Sequence, residues 1–146
     1  MSASVIKAIR IKAMDFLARR EYSRHELHQK LTQRFPESTE INSVLDQLIA
    51  DGLQSDSRFA DSFMRLRVNA GYGPQYIRAE LRQRGVAENV VEDTFSNQDV
   101  DWVAAAQQLF EKKYGGQDMS DAKLRAKCQR YMQYKGFAFD HIRELF

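Results

Sequence analysis

YGPQYIRAELRQR, residues 72–84, repeats YSRHELHQKLTQR, residues 22–34, at an offset of fifty and without a gap. Tyr22 falls on Tyr72, Leu27 on Ile77, Leu31 on Leu81 and Arg34 on Arg84. The register continues past this segment, with Ile41 on Val91 and Leu45 on Phe95. A third copy lies at the C-terminal end, where YKGFAFDHIRELF (134–146) aligns with QRGVAENVVEDTF (83–95) at an offset of 51. There Gly136 meets Gly85, Ala138 meets Ala87, Ile142 meets Val91 and Phe146 meets Phe95. Self-similarity at periods of roughly 20–50 residues marks stacked supersecondary units.

Each unit divides into three helices by periodicity and breakers. In the first, Ile6, Ile9, Ala13, Phe16 and Leu17 recur at helical spacing. Ser23 with Glu26 three residues on reads as a capping box for a second helix that buries Leu27 and Leu31 and stops before Pro36. Ser38 or Thr39 caps a third helix bearing Ile41, Val44, Leu45, Leu48 and Ile49, ended by Gly52. In the second unit Asp56 or Ser57 caps a helix with Phe59, Phe63 and Leu66 at i, i+4, i+7. AGYG (70–73) breaks the chain, Pro74 opens the next helix and Gly85 ends it, before a short helix through Val90, Val91 and Phe95. In the third, Val103, Ala106, Phe110 and Tyr114 form one face, and Ser120 or Asp121 caps a helix with Leu124, Cys128 and Met132 inward. No segment sustains strand alternation. The expected fold is all-α: three tandem three-helix repeats (1–54, 55–98, 99–146), about nine helices in an elongated, curved array.

The composition agrees: 43% of the 146 residues are hydrophobic and 29% charged, with two prolines and seven glycines. No run nears the roughly 18 apolar residues of a membrane helix. MSASVIKAIRIKAMDF (1–16) mixes lysine and arginine into its apolar positions, so no secretory signal is expected. The single cysteine excludes an internal disulfide framework, and a cytoplasmic location is expected.

Catalytic chemistry finds no foothold. Cys128 occupies the position that Ile77 fills one unit earlier and reads as a small core residue. GYG and GG are turn and stop signals rather than a phosphate-binding loop. His25, Glu26 and His28 form the one metal-like cluster, but the histidines are three apart and zinc wants three or four ligands. His141 lies in another unit. We expect no enzyme, cofactor or metal.

The charge is more telling than its net value of +2. Residues 1–35 carry eight basic and three acidic side chains, 36–64 one and six, 65–85 five and one, 86–101 none and five, and 102–146 eight and five. The sign alternates with the repeat, so a basic and an acidic face are expected. Arg78 and Arg82 follow Ile77 and Leu81 by one position on an exposed stripe, extended by Arg84 and by Arg65 and Arg67 from the preceding helix. Arg24, Lys30 and Arg34 supply unit one, and Lys127 and Arg130 lead in unit three. Tyr22, Tyr72, Tyr76, Tyr131 and Tyr134 lie among them, available to stack on bases. The acidic third helices, with Glu40, Asp46, Asp51, Glu88, Glu92 and Asp93, are expected to face away.

DSRFADSFMRLRVNAGYGPQYIRAELRQRGV (56–86) resembles the signature region of the RecX family, bacterial regulators of RecA, through Asp56, Arg58, Phe59, Ala60, Arg67, Gly71 to Pro74, Ile77, Leu81 and Arg84-Gly85. Lysine is usual in that family at Arg84, a change that keeps the charge. FLARREYSRHEL (16–27) is similar to the family pattern as well. The resemblance implies tandem three-helix repeats that bind RecA, lie in the groove of its filament on single-stranded DNA, and suppress its recombinase, ATPase and co-protease activities. It implies no enzyme activity, mostly structural motif residues, and an ion pair of Arg58 with Asp61. Two rival readings stand beside it: a helix-turn-helix-like protein acting on DNA directly, and a helical adaptor whose charges serve solubility. A monomer is expected because the repeat can bury its own inner faces and leaves no heptad seam over.

Overall fold

The protein is described here by a computed structural model covering residues 3–146. Nine α-helices follow one another among the described residues, with no strand. Unit one holds α1 (Ala3–Arg19), α2 (Arg24–Arg34) and α3 (Ile41–Ala50). Unit two holds α4 (Asp56–Asn69), α5 (Pro74–Gln83) and α6 (Glu88–Gln98), and unit three α7 (Trp102–Tyr114), α8 (Ala122–Tyr134) and α9 (Phe139–Ile142), closed by a 3-10 turn at Arg143–Leu145. Each unit keeps its own core. Leu27, Leu31, Leu45 and Leu48 are fully buried with Ile9 and Ala13 in the first. Ile77, Leu81 and Val91 do the same in the second, and Cys128, Met132 and Ile142 in the third. The accessible surface of 8808 Å² is about 14% above the roughly 7,700 Å² of a compact monomer of 17.0 kDa, as expected of units strung in a row.

Local chemistry explains the boundaries. Ser23 caps α2 as a full capping box: its Oγ accepts from the Glu26 N–H while the Glu26 carboxylate accepts from the Ser23 N–H. Pro74 occupies the first turn of α5, where its missing N–H costs nothing. Asp121, not Ser120, caps α8. Two expected caps move. Ser55 rather than Asp56 or Ser57 caps α4, because the Asp56 carboxylate is taken by the Arg24 N–H of unit one. Ser38 binds the Glu40 N–H, so α3 starts after Glu40 with no side-chain cap.

The apolar stripes also shift at their edges. Phe59 and Phe63 are buried, but Leu66 is 63% exposed, since α4 buries Phe59, Ala60, Phe63 and Met64 rather than an i, i+4, i+7 set. Ile6, Ile49 and Val103 likewise lie exposed at stripe margins.

Candidate partner-binding face

The ten basic residues proposed from the sequence do not share one fate. Four are held by carboxylates of the chain itself. Arg24 reaches Asp46 at 2.9 Å and Asn42 at 3.4 Å across α2 and α3. Arg78 pairs with Glu92, and Arg82 grips Glu88 through two nitrogens at 2.8 and 2.9 Å, both across α5 and α6. Arg84 is shared between Glu80 and Glu26. Asp46, Glu88 and Glu92 of the third helices therefore do not face away: they pair with arginines of the second helices, and Arg10 of α1 adds a bond to Asp51 just after α3. Second and third helices pack side by side within a unit, which brings opposite signs into ion-pair reach. Arg58 also departs from expectation, binding Glu21 at 3.0 Å and the Gly52 carbonyl instead of Asp61.

Five others remain open. Lys30, Arg34, Arg65, Lys127 and Arg130 are exposed, with no ion-pair partner among the described residues. Arg67, the tenth, is half-buried, its guanidinium 4.5 Å from the Phe63 ring centre and 6.0 Å from that of Tyr72. Of the tyrosines, Tyr22 is buried against Phe16 and covered by Arg20, Tyr72 and Tyr76 stack on each other at 4.2 Å, and Tyr131 meets Tyr114 edge-on. Tyr134 is 78% exposed.

The residues that sequence reasoning missed sit at the two unit junctions. At the first, Glu26 receives Arg20 and Arg84, the Ser23 hydroxyl donates to the Arg84 carbonyl at 2.8 Å, and Gln54 bridges the Tyr22 carbonyl and Asp56. Burial pushes the Glu26 carboxyl up, but hydrogen bonds from Arg20 and the Ser23 N–H, the Arg20 charge and Arg84 outweigh it, leaving the group below its ordinary value. At the second, the Gly73 N–H donates to the Lys135 carbonyl at 2.7 Å and the Gln75 N–H to the Gly136 carbonyl at 2.9 Å. Lys135 lies 3.7 Å over the Tyr72 ring. The aligned positions were visible in the repeat, since Ser23 matches Gly73 and Arg84-Gly85 match Lys135-Gly136, but only the fold brings the two sets together.

Cys128 is buried, and burial pushes its thiol up, away from the thiolate a nucleophile needs. His141 Nδ1 accepts from the Ala138 N–H, closing the first turn of α9. Among the described residues no group of three His, Cys, Asp or Glu side chains is placed to hold a metal ion, and no helix is long and apolar enough to cross a membrane.

Comparison with known proteins gives a consistent picture. Three family models match in chain order: "RecX, first three-helix domain" at residues 10–48, "RecX, second three-helix domain" at 55–94 and "RecX, third three-helix domain" at 99–146. The "Regulatory protein RecX" of Pseudomonas entomophila (strain L48) is 42% identical over 94% of this chain and 89% of its own length. That of Ectopseudomonas mendocina (strain ymp) is 41% identical over 94% and 92%. Among solved structures, RecX from Lactobacillus salivarius superposes with a TM-score of 0.77 at 23% identity over 98% of this chain and 95% of that one, which supports the fold.

Proposed function

The chain belongs to the RecX family, and on that premise we propose that it is a regulator that binds RecA and the RecA–single-stranded DNA filament and inhibits RecA recombinase, ATPase and co-protease activity. That role places it in DNA repair and control of the SOS response, as a cytoplasmic monomer without catalysis or cofactor. The observation that carries the reading is the ordered match of all three RecX domains along the chain, with curated relatives similar over nearly its whole length. On this reading the units 1–54, 55–98 and 99–146 act as three rigid blocks that span neighbouring protomers of a filament.

The charge pattern refines which residues make contact. A cation already paired within its unit must break that pair before it can serve a partner, whereas an exposed, unpaired one meets it at no such cost. Lys30, Arg34, Arg65, Lys127 and Arg130 are thus the contact set, with sequence-independent reach to DNA phosphate as well as to acidic protein surface. Arg24, Arg78, Arg82 and Arg84 brace the units.

The test is RecA ATP hydrolysis on single-stranded DNA, with this protein titrated well below the RecA concentration. Inhibition at substoichiometric levels, lost in Lys30→Glu/Arg34→Glu/Arg65→Glu with helicity intact, is the expected result. Inhibition only when the protein saturates the DNA itself would favour the direct DNA-binding reading, and no inhibition at any ratio would remove RecA from the account.

A further inference from the structure

The last turn of α4 carries an arginine where its geometry calls for a core residue. At about 100° per residue, the buried Phe59, Phe63, Ala60 and Met64 lie near about 0°, 40°, 100° and 140°, so their stripe centres near about 70°. Arg67 falls at about 80°, in the middle of that stripe, and Leu66 at about −20°, on its edge. The guanidinium is accordingly drawn inward over Phe63, and its Nε is buried with no hydrogen-bond partner, the one such side-chain atom among the described residues.

Arg67 lines a cavity of about 260 Å³ between units one and two, together with Arg20, Arg84, Glu21, Phe59 and Leu66. The charges on this wall are accounted for, save one. Arg84 is held by Glu26 and Glu80, Arg20 by Glu26, and Glu21 by Arg58. Arg67 has no carboxylate within ion-pair reach. The cavity therefore offers one uncompensated positive charge, an aromatic floor and an exposed leucine at its rim.

We infer that this cavity receives a single carboxylate side chain, aspartate or glutamate, from a protein partner. A carboxylate seated on the Arg67 guanidinium compensates its charge, and the planar guanidinium fork suits its two oxygens. The methylenes behind it lie against Phe59, and an apolar neighbour on the partner covers Leu66. A nucleic-acid backbone fits less well, because it brings a row of phosphates to a wall with one free cation, an acidic group and an apolar rim. The inference rests on the reading that the partner is a protein, but its test contains no RecA, so the two fail separately.

The experiment follows the arginine Nε–Hε resonances of the intact ¹⁵N-labelled protein during titration with acetyl-Leu-Glu-amide, acetyl-Leu-Gln-amide, inorganic phosphate and oligo-dT. A saturable shift of the Arg67 resonance with the glutamate peptide, absent with its glutamine analogue, is the expected result. Arg67→Lys keeps the charge but lacks the fork; with its circular dichroism unchanged, it should weaken peptide binding about tenfold as read from backbone amides. Glu21→Gln, which leaves Arg67 untouched and removes a like charge from the wall, should tighten the peptide about twofold. No saturable shift overturns the proposal, as does an equal response to glutamine peptide. A response to phosphate or oligo-dT that matches or exceeds the glutamate peptide reassigns the cavity to nucleic acid.

Discussion

The two unit junctions use the same positions and different chemistry. In both, the carbonyl just before a left-handed glycine, that of Arg84 or Lys135, is captured by the residue that precedes the second helix of the unit before. At the first junction the donor is a side chain, the Ser23 hydroxyl, and charged groups surround it. At the second the donor is the Gly73 backbone itself, with no room for anything more: a Cβ on Gly73 would lie 2.5 Å from the Gly136 carbonyl carbon and oxygen. The glycine that follows is forced in both places, Gly85 at φ 82° over His25 and Gly136 at φ 102° over Tyr76. One repeated contact geometry thus supports a polar joint, adjustable by charge, and a backbone joint, fixed by contact.

Exchanging the two residues breaks the comparison most directly. Gly73→Ser forces two backbones apart, and we expect a loss of about 3 kcal/mol in urea denaturation, the upper range for overpacking a close-packed site. The reverse change, Ser23→Gly, opens no clash; it removes the hydroxyl and leaves the Arg84 carbonyl without that partner, for about 1–2 kcal/mol. Equal losses in the two variants would mean that the junctions are equivalent and that the serine is incidental.

A smaller effect sharpens the electrostatic half. Glu26 titrates below its ordinary value of 4.5 in the folded protein, so its contribution is complete above about pH 4.5 and is lost as pH falls through the lower folded value. Amide exchange in the first turn of α2 should accelerate in that acid range while the backbone-bonded segment at Gly73 and Gln75 does not. Glu26→Gln, expected to cost about 1 kcal/mol at neutral pH, should abolish the acid sensitivity of α2. Acid loosening of both segments together would make it a property of global unfolding instead of the first junction.

Much of this was legible in the sequence, and most of the failures share a physical cause. The all-α repeat, the capping box at Ser23 and Glu26, and the buried Leu27, Leu31, Ile77 and Leu81 follow from spacing within a single helix, which a sequence displays directly. Asp56 as a cap and Arg58 with Asp61 were misplaced because each depends on what another element puts next to it. The acidic third helices are the instructive case. Their alternation with basic second helices points outward to a partner, yet the same alternation in two packed neighbours is also the signature of pairing within a unit. Arg67 was grouped with the exposed cations, although its angular position on α4, between Phe63 and Met64, already marked it as turned inward.

The smallest effect concerns those pairs within a unit. Arg82 and Glu88 form the best-aligned of them, two nitrogens on two oxygens, and the pair draws the Glu88 carboxyl down through its hydrogen bonds with Arg82. Both side chains are more than half exposed, so water and salt screen the attraction and the ordering of two long side chains opposes it. Arg82→Ala should therefore leave the urea midpoint unchanged within error, in low salt and in 1 M salt alike. The contrast with Glu26, which makes similar bonds at 11% side-chain exposure, then isolates burial as the variable. A clear drop in the urea midpoint of Arg82→Ala would show that α6 is held to α5 by charge, and would place the adjustable part of the molecule inside the second unit, not between the first and the second.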